Sequence, residues 1–207
     1  MTYEILFGLI TFAVVSSITP GPNNLMLLAS GVNYGFRRTV PHMLGIAFGF
    51  GLMIISIGFG LAALFEAMPM LQIGLEILCA LYLSYLAYRI ATAEPMGQAE
   101  QANSGAVKGG SPTRPFSFLQ AALFQWVNPK AWAMGLTAIA VYAPTSLPYI
   151  GVGMVALIFT TINLPCVSLW AYAGQRMRLV LGNRRFQRLF NGFCAFLLMA
   201  SLFPMLR

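Results

Sequence analysis

Aspartate is absent from this 207-residue chain, and histidine occurs once. Charged residues make up 8% of the sequence, where a soluble domain carries roughly 25%. Hydrophobic residues make up 58%. No soluble core of this length needs so much apolar surface, so the chain is expected to live in a bilayer. The scarcity of ionisable groups also narrows the chemistry. An intramembrane enzyme needs a paired acid, base or nucleophile, and no such pair is visible. A metal site needs clustered Cys, His or carboxylate ligands. The cysteines, Cys79, Cys166 and Cys194, are scattered through apolar stretches and fit no zinc spacing. They read as small buried hydrophobes. No Gly-rich phosphate loop, metal-binding helix or serine-nucleophile motif appears, so no cofactor and no metal are expected.

What is present is apolar sequence in long runs. Six spans of roughly 20 residues fit the length. They are read at 5–30, 40–65, 70–92, 116–142, 147–173 and 186–204. Proline and small polar residues punctuate them, as at Pro69, Pro144 and Pro148. Met1-Thr2-Tyr3-Glu4 lacks the basic region of a signal peptide, so the first span is expected to stay in the mature protein. Residues 93–115 differ in kind. They are polar and small, with Gly-Gly-Ser-Pro at 109–112, and read as a flexible linker. The linker divides the chain into a first half, 1–92, and a second half, 116–207. Each half holds three spans. An odd number makes the halves enter the membrane from opposite sides, so an inverted repeat is available. The expected fold is thus an all-α integral membrane protein with six transmembrane helices in two inverted three-helix halves.

The formal net charge of +7 raises nucleic acid as a partner. Placement argues against it. Ten of the twelve Lys and Arg fall on or beside the first, third and fifth connections, including Arg37, Arg38, Arg89, Arg114 and Arg178. Arg207 lies at the C-terminus, and Lys130 lies within a span. Basic residues confined to short loops on one side set orientation in a membrane. The odd connections are therefore expected in the cytoplasm, with both termini outside. The arginines of the fifth connection also suit anionic lipid headgroups.

Two spans are interrupted. The first is broken by Thr19-Pro20-Gly21-Pro22-Asn23-Asn24, and the fourth by Asn128-Pro129-Lys130. Proline removes a backbone donor and clashes with the preceding turn. In lipid the freed groups find no water, so such breaks survive only against protein or a wet cavity. Matched interrupted helices, one per half, are the best sequence pointer to a transporter's binding site. A half-helix starting after each break would aim unpaired N–H groups, near Asn24 and Leu25 in the first and after the Asn128 cap in the second, at an anion. Asn23, Asn24 and Asn128 add donors and acceptors. Lys130 lies on the order of 20 Å into its span at helical rise, too deep to reach the surface by its stem. It must pair or face water. Two readings stand for it: an anchor for a substrate carboxylate, or a donor to carbonyls freed by Pro129. The candidate substrate-binding set is Pro20, Gly21, Pro22, Asn23, Asn24, Asn128, Pro129 and Lys130.

Three further positions carry polar chemistry in apolar surroundings. Glu76, an acid within the third span, suits a substrate ammonium or a coupling proton, or else a place at the rim. Asn163, with Pro165, marks a softer irregularity in the fifth span and a candidate contact. His42 follows Pro41 at the edge of the second span, as a titratable or a structural group. Gly45, Gly49, Gly58 and Gly60 in the second span allow close helix contact. That contact is expected within the monomer or at a homodimer seam.

These residues also resemble a known family. Thr19–Asn24, Gly35-Phe36-Arg37, Gly45, the run Ala80–Leu86 and the run Phe124–Ala131 are similar to the lysine-exporter (LysE/RhtB) family over nearly the whole chain. Residues 115–118, 124–125 and 171–174 resemble the branch that exports cysteine and O-acetylserine. The resemblance implies about six spans in a bacterial inner membrane and export of a small amino acid or derivative. Proton influx is the expected coupling. Many relatives carry a basic residue where this chain has Glu76, so no family role is carried onto it. An exporter of metal ions such as cadmium, on a related scaffold, is the alternative. The single His and the scattered Cys argue against it.

Overall fold

A computed structural model describes residues 1–93, 114–144, 148–180 and 184–202. Every element among them is helical. Helix α1 (Tyr3–Ile18) starts on Thr2, whose hydroxyl accepts the Ile5 N–H, and α2 (Pro22–Tyr34) follows after three residues. Next come α3 (Phe36–Ser56), a wide π turn (Ile57–Leu61), α4 (Ala62–Ala67) and α5 (Pro69–Ala91). The second half holds α6 (Phe118–Phe124), a 3-10 turn (Gln125–Val127), α7 (Pro129–Tyr142), α8 (Pro148–Val180) and α9 (Arg184–Ala200).

Among the described residues, three stretches are long and apolar enough to cross a membrane: Phe36–Leu61, Ile73–Ala91 and Tyr149–Arg178. The pair α1 and α2 makes a fourth, bent by 51° at the first break. The α6–α7 pair is divided at Asn128 into short pieces, and α9 has 17 residues. Each half nevertheless runs in the same order: a broken helix, a long helix and a further helix.

Several boundaries differ from expectation. The fourth span begins at Phe118, not 116, because Ser117 caps it. The Ser117 hydroxyl accepts the Gln120 N–H at 3.2 Å, and the Gln120 side chain accepts the Ser117 N–H at 3.0 Å. The straight-helix depth of Lys130 does not carry over, since α6, a 3-10 turn and α7 are separate pieces. Helix α8 runs on to Val180, seven residues beyond the expected end. Pro165 lies inside it without breaking it, as does Pro41 inside α3. Almost all of the expected linker, 93–115, lies outside the described residues.

Polarity is distributed inside out relative to a soluble protein. Phe48, Leu81, Leu157 and Phe196 are exposed, while Asn24, Gln125, Asn128 and Asn163 are buried. An apolar exterior around polar interior groups is what a hydrocarbon solvent selects. One apolar cluster centres on Phe50, Ile54, Trp132 and Phe159 from α3, α7 and α8. A second joins Leu83 and Leu86 of α5 to Leu198 of α9 and Phe124 of α6.

Glycine sets the close approaches. A Cβ at Gly31 would lie 2.2 Å from the Ala171 carbonyl oxygen, and one at Gly174 would lie 2.2 Å from that of Leu28. These two glycines let α2 and α8 meet backbone to backbone. The expected stripe on α3 is also used within the monomer. Gly45 faces the Phe118 carbonyl and Gly49 faces Ala122 of α6, while Gly58 faces Val152 of α8. Gly60 serves conformation instead, at φ 111° with nothing within 4 Å of its would-be Cβ. The homodimer seam expected from this stripe thereby loses its argument.

Candidate functional site

Both breaks are built alike. Gly21 is the N-cap of α2 with Pro22 at its first position, and Asn128 is the N-cap of α7 with Pro129 at its first position. Proline is tolerated there because that N–H has no helical partner anyway. Gly21 is extended, with φ −175°, so its backbone does not demand glycine. A Cβ there would lie 2.6 Å from Cδ of Lys130 and would force that side chain to shift.

Breaking α1 orphans its last carbonyls, and a dry interior requires each to find a donor. The Ser16 carbonyl accepts the Thr19 hydroxyl at 3.0 Å. The Asn24 amide donates to the Ser17 and Thr19 carbonyls, both at 2.8 Å. The Trp170 indole, from α8, donates to Ile18 at 3.0 Å. Lys130 completes the set from across the molecule. Its Nζ donates to the Thr19 carbonyl at 2.8 Å, the Thr19 hydroxyl at 2.9 Å and the Pro20 carbonyl at 3.3 Å. Three ammonium protons thus have three acceptors. The charge also sits at the negative end of the α1 dipole. The carbonyls that Lys130 holds belong to the first break, not to its own.

A second link joins the breaks. Asn23 Nδ2 donates to Gln125 Oε1 at 2.8 Å, and Gln125 Nε2 donates back to Asn23 Oδ1 at 3.2 Å. Gln125 also holds the Ala121 carbonyl at 2.8 Å. The free carbonyl of Trp126 is taken by the Trp132 indole at 2.9 Å. On α8, Asn163 donates to the Ser17 hydroxyl at 3.1 Å, and its own Oδ1 is buried without a partner.

The two helix N-termini are not equivalent. In α7 the Lys130 N–H is held by the Asn128 side chain at 3.2 Å and the Ala131 N–H by the Asn128 carbonyl at 3.0 Å. That end is closed. In α2 the first helical bond runs from the Leu25 N–H to the Gly21 carbonyl at 2.9 Å, so Leu25 is not free. The Asn23 and Asn24 amides precede that bond and remain ahead of the ladder.

These groups surround one pocket of about 320 Å³, its open mouth included. Gly21, Asn23, Asn24, Asn128, Lys130 and Asn163 line it, with Phe50, Met134 and Val167 as apolar walls. Pro20, Pro22 and Pro129 shape the breaks without lining it. Glu76 falls in α5, and its side chain lies outside the described residues. Sequence reasoning missed Ser16, Ser17 and Gln125, which also line the pocket. A signal existed for each: a serine pair just before the break, and one amide between Phe124 and Trp126. Among the described residues no three His, Cys, Asp or Glu gather to hold a metal ion.

A polar pocket between two broken helices, inside a bundle with an apolar exterior, is the architecture of a membrane transporter. The profile of the "LysE type translocator" family matches residues 14–202. The chain belongs to that family, and it is a transport protein, not an enzyme. It is 30% identical over 198 residues to a cysteine/O-acetylserine efflux protein of Escherichia coli O1:K1, covering 92% of this chain and 88% of the relative. The proteins of that name from E. coli K12 and Shigella sonnei are 29% identical over the same shares. No solved structure matches the chain.

Proposed function

We propose that this chain exports a small amino acid or derivative, of the cysteine or O-acetylserine kind, across the bacterial inner membrane against proton influx. The similarity to efflux proteins of that name supports the substrate class. The observation that carries the site is the Lys130 ammonium, held on the α1 carbonyls beside the open N-terminus of α2.

A zwitterion has a matching partner for each end. Its carboxylate suits Lys130 and the Asn23 and Asn24 amides at the positive end of α2. Its ammonium suits the Thr19 and Pro20 carbonyls and Asn163 Oδ1. Binding then exchanges one ammonium for another: the substrate takes the carbonyls, and Lys130 turns to the carboxylate. No orphan carbonyl is left unpaired in either state. Space between the side chains is narrow, so entry requires the two breaks to part. That motion is the opening step of alternating access in this reading.

The element order supports an inverted repeat of two three-helix halves. Helix α3 packs on α6 and α8 packs on α1, as an exchange of halves requires, although the extensive α2–α8 contact has only a slight counterpart between α7 and α3. The self-paired contacts α3–α8 and α5–α9 fit the same exchange. The arginine-rich connections favour a cytoplasm beside Tyr34, Arg89 and Arg178, with both termini in the periplasm. Lys130 is the ionisable side chain lining the pocket and the first candidate for the coupling proton. Glu76, an acid within α5, is the second. Counterflow in proteoliposomes with a panel of amino acids and cadmium tests the reading. Uptake of L-cysteine and O-acetyl-L-serine driven by a proton gradient is expected. Flux of cadmium alone would contradict it.

A further inference from the structure

A second pocket lies at the arginine-rich end, outside the central site. Its empty space, counted out into the open mouth, is about 490 Å³. Four buried polar atoms on its lining residues have no hydrogen-bond partner: Asn33 Oδ1, Arg89 Nε and both ring nitrogens of His42. His42 is only 1% exposed. Buried polar groups are nearly always paired, and each unpaired one costs free energy. Arg89 also donates through Nη1 to the Tyr85 hydroxyl, and Asn33 through Nδ2 to Ala29 and Asn191, but their remaining atoms and the whole His42 ring around one cavity mark a place where a polar guest is expected.

The groups differ in kind, and together they fit a zwitterion. Arg89, in the last turn of α5, brings a guanidinium, and Arg114 brings a second cation. A guanidinium fork matches a carboxylate. Asn33 Oδ1 and the Ala93 carbonyl offer acceptors for an ammonium, although Ala93 also accepts from Asn191 at 3.3 Å. His42 supplies one donor and one acceptor when neutral. Its ring lies 5.2 Å from that of Phe116, which gives the pocket an apolar side. Met26, Ala29, Ser30 and Asn33 line it at helical spacing, so one face of α2 forms its floor. Asn23, in the central pocket, lies three residues before Met26 on that face. The two pockets are therefore stacked along α2, with Asn23 and Asn33, ten residues apart, separated by on the order of 15 Å at helical rise.

We propose that this pocket is a second substrate site, a loading site that receives the amino acid from the arginine-rich side before it moves along α2 to Lys130. Arg89 holds the carboxylate, and Asn33 with His42 orients the remainder. The proposal rests on the exporter reading for the identity of the ligand, and two measurements keep the two separable.

The first is binding stoichiometry. Full-length protein in nanodiscs is dialysed to equilibrium against labelled O-acetyl-L-serine. Two molecules per chain are expected for wild type and one for Arg89→Gln. Lys130→Met is also expected to bind one, at the remaining pocket. The second is sided transport in proteoliposomes of known orientation. Arg89→Gln is expected to raise KM about ten-fold or more for substrate added at the arginine-rich face, with KM from the other face unchanged. Arg114→Gln, on the rim, repeats the test if Arg89→Gln folds poorly by size exclusion. A single bound molecule in wild type overturns the proposal even if transport is normal. An equal KM change from both faces, or none, overturns it too. Two bound molecules without flux would keep the site and remove the exporter reading. Displacement of the second molecule by anionic lipid, without effect on sided KM, assigns the pocket to a headgroup and overturns it as well.

Discussion

The Lys130 ammonium donates at 2.8 Å to the carbonyl of Thr19, 111 residues away, and so ties one broken helix to the other. The tie uses a positive charge to close the negative end of α1. It also places the pocket's ionisable side chain where a substrate ammonium would have to compete for the same oxygens. In the proposed function, structure and transport share this one group.

The prolines at the two breaks keep the helices apart. Pro22→Ala and Pro129→Ala each restore an N–H and relax the fixed start of the second half-helix, with Pro20 and Gly21 still in the first break. Both variants are expected to insert and fold but to lose most transport, measured as flux per folded protein. Normal flux in both would make the breaks packing features.

Asn23 and Gln125 form a reciprocal amide pair between the breaks. Removing Asn23 leaves the buried Gln125 Oε1 without its donor, at about 1–3 kcal/mol, while Gln125 Nε2 keeps the Ala121 carbonyl; removing Gln125 strips half-buried Asn23 of both bonds. Asn23→Ala and Gln125→Ala should each lower unfolding stability, and the double variant should cost less than their sum. A coupling near 0.5–3 kcal/mol is the range for contacting residues. Strict additivity would show that the pair does not act as a unit.

The α2–α8 contact depends on two glycines. Gly31→Ala or Gly174→Ala drives a methyl to 2.2 Å from a backbone oxygen. Backbone must move, and a loss of about 1–3 kcal/mol or more is expected. Gly153→Ala, with nothing within 4 Å of its would-be Cβ, should be near neutral. Thermal unfolding in detergent reads the contrast.

What the sequence made visible follows from local physics. Pro22 and Pro129 suit the first position of a helix, and Asn128 is a cap, so both breaks could be read from a few residues. The polar character of Asn23, Asn24, Lys130 and Asn163 in apolar runs was equally plain, and these residues share one pocket. The partners were not legible. That Lys130 serves the carbonyls of Thr19 and Pro20, that Gln125 pairs with Asn23, and that Trp170 closes Ile18 depend on how distant segments meet. The extension of α8 to Val180 was missed because Arg176 and Arg178 read as a loop. An amphipathic helix end carries such arginines equally well. The N–H groups expected free at Asn128 are closed by that residue's own side chain, which spacing alone does not reveal.

Orientation has a direct check. Ten basic side chains on the odd connections predict a periplasmic C-terminus. An alkaline phosphatase fused there should be active, and a fluorescent protein should be dark. The reverse pattern would place the arginines outside and turn the second pocket to the periplasm.

The central claim is that Lys130 recognises a substrate carboxylate by leaving the Thr19 and Pro20 carbonyls. The measurement is flux per folded transporter for a matched pair, an amino acid and the amine lacking its carboxylate, in wild type and Lys130→Met. The substitution keeps much of the apolar stem and removes the charge. A lost charged hydrogen bond is worth about 1.5–3 kcal/mol, which is roughly ten- to a hundred-fold in affinity. The account predicts a loss of that size for the amino acid and a much smaller one for the amine. Equal losses for the two would confine Lys130 to holding the break together and would contradict the account.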